Sequence, residues 1–136
     1  MMEWDVNYGA ALVSVVAAMV IGTIYYHPAV VGRAWMAAIG KTPEEIKASA
    51  KPTLYFVTAV LALLQATVLS AVISWAGDVT LVGGALIGLL LWVGMAVPVI
   101  SNTFIFEGRK MANHVISSGY YLITLVVMGG IIGAWG

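Results

Sequence analysis

Four stretches of this chain are long and apolar enough to cross a bilayer, and that limits what it can fold into more than any other feature. They run over about residues 6–26, 52–75, 80–106 and 111–135. A helix rises about 1.5 Å per residue, so roughly 20 apolar residues cover the hydrocarbon core. Lipid offers no hydrogen bonds, so each crossing backbone must satisfy its own, as a helix does. The expected fold is therefore all-α: one polytopic membrane domain, residues 1–136, with four transmembrane helices. Composition agrees. The chain is 62% hydrophobic and 9% charged, whereas soluble domains are roughly half apolar and about a quarter charged. In water such a surface would aggregate, and its natural partner is the lipid bilayer.

The few charges fix an orientation. All six Lys and Arg fall in two connections, Arg33, Lys41, Lys47 and Lys51 in one and Arg109 and Lys110 in the other. Four crossings put those connections on the same side. The positive-inside rule makes that side cytoplasmic and places both termini outside. The expectation is a multi-pass protein of the cell (inner) membrane, with loops 27–51 and 107–111 cytoplasmic and Arg33, Arg109 and Lys110 as topology anchors. Aromatic residues suit this arrangement: Trp4, Tyr8, Trp75 and Trp135 at the outer interface, and Tyr25, Tyr26, Trp35, Tyr55 and Phe106 at the inner one. The acidic start Met1-Met-Glu-Trp-Asp5 is a poor signal-peptide start, so no cleavage is expected.

Zero net charge gives nucleic-acid binding no support. The lack of cysteine excludes disulfides, thiol catalysis and thiolate metal sites. No nucleophile motif, phosphate loop or paired catalytic carboxylate is visible. The chain is not read as an enzyme, and no cofactor is expected.

Small residues recur every fourth position on several spans. Ala10, Ser14, Ala18 and Gly22 do so on the first, and Thr58, Ala62, Ala66, Ser70 and Ser74 on the second. Gly84 and Gly88 form a small-xxx-small pair on the third, and Gly129 and Gly133 another on the fourth. Such stripes let helices approach closely, though Ala and Gly are also simply common in membrane helices. They are the surfaces through which a homo-oligomer is expected to assemble. Gly94 and Pro98 stand one turn apart on the third span and predict a kink there, with Pro98 as a hinge. Trp92 lies near mid-membrane, as packing or as a gate.

The connection after the first span reads as two short interfacial helices, with an ordinary packed loop as the alternative. Val31, Ala34, Trp35, Ala38 and Ile39 follow helical spacing up to Gly40, a stop signal. Thr42-Pro-Glu-Glu45 is a start signal, with Thr42 as N-cap and Glu45 at the capping-box position. Trp35 would anchor the segment at the interface.

Candidate functional residues are the polar side chains inside or beside the spans: Gln65, Asn102, Glu107, His114 and His27. Gln65, near the centre of its span, either bonds a neighbouring helix or lines a route. Glu107 either pairs with Arg109, Lys110 or Arg33 or joins Asn102 and His114 in a cation or proton site. A metal site from His27, His114 and Glu107 has no HxxxH or HxxE spacing behind it, and no metal is expected. His114, Ser117, Ser118, Tyr121 and Thr124 share one helix face. Two readings follow, an oligomeric small-solute or ion permeation protein and a non-transporting scaffold or accessory subunit of an unidentified membrane partner.

The two halves echo each other weakly. Thr23-Ile-Tyr-Tyr-His27 parallels Thr103-Phe-Ile-Phe-Glu107, and Ile73-Ser-Trp-Ala-Gly77 parallels Ile132-Gly-Ala-Trp-Gly136. Tyr26-His-Pro28, Val31-Gly-Arg-Ala-Trp-Met36, Phe106-Glu-Gly-Arg109 and Gly119-Tyr-Tyr-Leu122, in that order, resemble the pattern of the membrane proteins grouped as domain of unknown function 1761. The chain departs from that pattern at His27, usually serine, and at Tyr121, often histidine. The resemblance implies a four-span prokaryotic membrane protein and carries no activity with it.

Overall fold

The computed structural model describes residues 6–49, 52–77, 79–108 and 111–135. The expected anchors Arg109 and Lys110, with Lys51, Asp78 and the Met1–Asp5 start, lie outside the described residues. Seven α-helices follow in order among the described residues: α1 (Tyr8–Tyr25), α2 (Arg33–Ile39), α3 (Pro43–Ser49), α4 (Pro52–Ala76), α5 (Leu81–Leu91), α6 (Val97–Glu107) and α7 (Met111–Trp135). Four helical stretches are long and apolar enough to span a bilayer: α1, α4, the run Leu81–Glu107 made of α5 and α6, and α7. Each starts and stops within two residues of its sequence-derived bounds.

Local chemistry sets the ends. The Asn7 side chain accepts from the Ala10 amide at 3.0 Å and opens α1. Thr80 does the same for α5 through the Gly83 amide at 3.2 Å. The capping box at α3 forms as its spacing predicts. The Glu45 amide donates to Thr42 Oγ1 at 3.2 Å, and the Thr42 amide donates to Glu45 Oε1 at 3.4 Å. Gly40 and Gly108 end α2 and α6 with φ of 70° and 65°, a left-handed backbone open to glycine at little cost.

The bundle is organised around α7, which packs against α1, α2, α4, α5 and α6. Consecutive spans run antiparallel, as do α1 and α7, while α4 and α7 run parallel. The Asn7 amide donates to Ser70 Oγ at 3.0 Å, which joins the start of α1 to the last turns of α4. Tyr25 OH donates to the Ile116 carbonyl at 2.7 Å, which joins the end of α1 to the second turn of α7. The termini therefore share one end of the bundle, and the 27–51 connection lies at the other. The α1–α4–α7 core is built mostly from small residues, Ala10, Ala11, Ala18, Ala62 and Ala66, filled out by Leu69, Ile73, Met128 and Ile132. Ser14 lies within it at 0% exposure, and its hydroxyl has no hydrogen-bond partner among the described residues. Gly22 lies where a Cβ would come 3.3 Å from the Tyr120 hydroxyl.

Helices α5 and α7 come into backbone contact at their glycines. A Cβ on Gly84 would strike the Gly129 carbonyl, and one on Gly129 would strike that of Gly84. Gly88 lies against the Leu125 carbonyl in the same way, and Gly133 against that of Thr80. At these positions no side chain stands between the helices, which gain dispersion and Cα–H···O contact. This corrects one expectation. Of the small-residue positions assigned to contacts between copies, Ser14, Ala18, Ala66, Ser70, Gly84 and Gly88 are buried inside a single chain, and Gly22 is half-buried against Tyr120.

The third span is broken where Gly94 and Pro98 predict irregularity. A π turn over Trp92–Ala96 separates α5 from α6, and the Val97 amide donates five residues back to the Trp92 carbonyl. Pro98 has no amide to offer the carbonyl four residues earlier, and a turn widened by one residue takes up the mismatch. Beyond the break the packing loosens. None of the residues of α6 is buried.

The 27–51 connection is built onto the bundle. The His27 carbonyl accepts from the Val30 amide at 2.9 Å and the Gly32 amide at 3.0 Å, which closes a π turn over Pro28–Gly32. Gly32 is obligatory there, because a Cβ would fall onto the Tyr26 carbonyl. The turn delivers α2 to α7, with Met36 buried and the Trp35 ring 5.0 Å from that of Tyr26. Both short helices exist as read. Helix α2 is fixed to the bundle, while α3 is exposed apart from the half-buried Ile46.

Candidate functional site

The polar atoms that do meet lie at the loop end of the bundle, between α6 and α7. His114, in the first turn of α7, is gripped on both ring nitrogens. Its Nε2 lies 2.9 Å from Ser101 Oγ on α6, and its Nδ1 lies 2.9 Å from Ser118 Oγ one turn along α7. Phe104 stacks on the ring at 4.8 Å and 29°. The Trp92 indole N–H, in the π turn, donates to the Ser118 carbonyl at 2.8 Å. Three contacts thus cross from the third span to α7, and two of them use His114.

The second part is aromatic. Tyr26 is the centre, with Tyr25 at 5.1 Å, Trp35 at 5.0 Å and Tyr120 at 5.4 Å, and Tyr121 extends the chain 5.2 Å from Tyr120. Edge-on and tilted rings at these separations match the preferred geometry of aromatic pairs. The phenols also serve as donors. Tyr120 OH donates to the Ala18 carbonyl at 3.3 Å, beside the Tyr25–Ile116 bond. These bonds lock α1 to α7 at the loop end.

The chemistry of the clasp follows from its atoms. A neutral imidazole has one donor and one acceptor nitrogen, so one serine donates to the ring and the other accepts from it. A change of tautomer reverses both bonds without moving a heavy atom. Protonation makes both nitrogens donors, and both hydroxyls can accept. Ser101, His114 and Ser118 thus form a hydroxyl–imidazole–hydroxyl chain across the helix pair. It can hold a proton in place or hand it on.

The sequence-derived candidates are dispersed. His114 is in the clasp. Glu107, the last residue of α6, is exposed and is not one of the partners of His114. Asn102 is exposed on α6 although its neighbour Ser101 is in the clasp. Gln65 is half-buried on α4, His27 is exposed at the loop end, and Pro98 faces outward. Glu107 and Asn102 therefore do not join His114 in one site. The triad of His27, His114 and Glu107 does not assemble either. Among the described residues no three His, Cys, Asp or Glu stand together as metal ligands.

Ser101 carries no mark in the sequence, whereas Trp92 stands out there only as a packing or gating residue, Tyr25 only as an interfacial aromatic and Tyr120 only within the family pattern. For Ser118 the signal was present, since it lies at i+4 from His114. For Ser101 it was not, because the register of α6 against α7 depends on the π turn. The buried Asn113, one residue before the histidine, adds a polar side chain to this end.

No curated protein and no solved structure matches the chain. The two most family-like segments of the sequence are those that the structure uses here: Tyr26 to Met36 forms the aromatic hook and α2, and Gly119 to Leu122 supplies Tyr120 and Tyr121. The match extends over residues 10–133, and the chain belongs to the family described as "Protein of unknown function (DUF1761)".

Proposed function

We propose that this membrane protein passes a small solute or ion, with α6 as its moving part and the His114 clasp as the catch. The observation behind this reading is that His114 bridges α6 to α7 beyond a π turn in the third span. Single π turns inside α-helices are frequent at functional sites. Helix α5 is bound to α7 by backbone contact. Helix α6 is held by Ser101, Phe104 and Trp92, beyond a turn that can flex. Opening would part α6 from α7 and expose the hydroxyl–imidazole chain. The arrangement of charges supports loops 27–51 and 107–111 in the cytoplasm and the termini outside, in a cell (inner) membrane.

We read the Ser101–His114 contact as a clasp rather than a nucleophile with its base. The far nitrogen meets a serine hydroxyl where a catalytic dyad would be oriented by a carboxylate. The reading is tested by flux into proteoliposomes of purified protein, assayed for protons, potassium, sodium and glycerol. Flux above empty vesicles that changes in His114→Ala is the expected result. Absence of flux for all four overturns it.

A second reading has its own observation. Helix α2 is pinned to the bundle by Met36 and the Trp35–Tyr26 contact, so the connection presents a shaped surface rather than a tether. A scaffold or accessory subunit would use such a surface. Stoichiometric recovery of another membrane protein after gentle solubilisation, lost on Trp35→Ala, would favour it over permeation.

A further inference from the structure

Gln65 is the polar residue that the bundle leaves unprovided for. It lies near the middle of α4, half-buried, and makes no hydrogen bond with any described residue. Its amide carries two N–H donors and an acceptor oxygen. At that depth neither lipid nor water can satisfy them, and leaving them bare is costly. Thr58 and Thr67, on the same helix, instead return their hydroxyls to carbonyls four residues back, at 2.9 and 2.7 Å. Glutamine has no such local outlet here, so its partner must come from another molecule.

The surface around Gln65 indicates which molecule. Leu54, Thr58, Leu61, Gln65, Val68 and Val72 are spaced 4, 3, 4, 3, 4 along α4. That is the heptad seam of two helices crossing at a shallow left-handed angle. The seam is open: Leu54, Leu61 and Val68 are 54%, 57% and 46% exposed. It lies beside the buried face made by Ala62, Ala66, Leu69 and Ile73, which is already used against α1 and α7. A single polar residue midway along an apolar seam fixes register and copy number. An amide also complements itself, because the carbonyl of one accepts from the N–H of the other.

We propose that a second copy of this chain docks along this seam of α4, with two-fold symmetry about the membrane normal and the two Gln65 amides bonded to each other. The interface is isologous and parallel, as a closed dimer in one membrane requires. It shares only the exposed Thr58 with the small-residue stripe of α4, whose Ala62, Ala66 and Ser70 are buried within each chain, and it stands whether or not the protein transports anything.

The absence of cysteine makes the test direct. Single variants Leu61→Cys and Val68→Cys, on the seam, are compared with Phe56→Cys and Val60→Cys, also exposed but on another side of the helix. All are oxidised with copper–phenanthroline in native membranes, and the full-length product is sized. Seam variants are expected to form the disulfide-linked dimer, and the other two are not. Adding Gln65→Leu to the Leu61→Cys chain should cut the linked fraction by about threefold, the effect of losing one interhelical hydrogen bond in lipid. Gln65→Leu should leave the monomer folded, because it only makes a lipid-facing position more apolar. Equal linking from both faces, linking unaffected by Gln65→Leu, a product containing a different protein, or a monomer only would each overturn the proposal.

Discussion

The third and fourth spans meet twice, by two different means. At the end carrying the termini, Gly84, Gly88, Gly129 and Gly133 bring α5 and α7 into backbone contact. At the loop end, the same pair of spans is joined by side chains reaching across a gap: Ser101 and Phe104 to His114, and Trp92 to Ser118. The first contact is set by glycine backbone, which has no side chain to rotate out of the way. The second consists of rotors and a titratable ring. A membrane helix pair can thus be rigid over half its length and releasable over the other half, with the π turn at Trp92–Ala96 marking the change.

The largest effect belongs to the rigid half. Gly84→Leu must push α5 off the Gly129 carbonyl, and overpacking of this kind costs about 3 kcal/mol or more. Loss of folded protein in detergent, followed by thermal unfolding or protease resistance, is the expected outcome. Gly94→Ala is the control: a Cβ there meets nothing within 4 Å, so the added methyl should be tolerated. If the two behave alike, the close approach is not what holds that end.

The releasable half should respond less in stability and more in mobility. His114→Ala removes both serine bonds and the Phe104 stack, for about 1–2 kcal/mol in total, given that interhelical bonds in lipid average well under the value assumed for dry interiors. Thiol labelling at Asn102→Cys on α6 should quicken in this background, while labelling at Leu86→Cys on α5 stays unchanged. Equal quickening at both sites would mean that the two halves move as one. Trp92→Phe is the gentlest probe, deleting only the indole N–H bond to the Ser118 carbonyl, for about 0.6 kcal/mol. It should shift the same Asn102→Cys labelling in the same direction by less than His114→Ala.

What the sequence carries and what it does not can be followed through these residues. The spans are legible because lipid imposes one length and one polarity. Gly40 and the Thr42–Glu45 box are legible because a cap acts over three or four residues. Gly84 with Gly88, and Gly129 with Gly133, stand out as pairs, but only the antiparallel register makes each pair the partner of the other. The same lack of register hid the meeting of Ser101 with His114. Glu107 drew attention as a lone carboxylate beside a span, yet the histidine is satisfied by serines, and a serine carries no signal in a chain rich in small residues.

The hub position of α7 has a consequence for how the protein is made. Helices α1 and α4 can pair as soon as both have entered the membrane, since they share a face. The third span has only a slight contact with α4, and its principal partner is synthesised after it. From its own insertion until α7 arrives, it must wait in lipid with its glycine face bare. During that interval it is open to capture by any helix with a matching row of glycines, and its residence time would be set by the rate of elongation through the segment that follows.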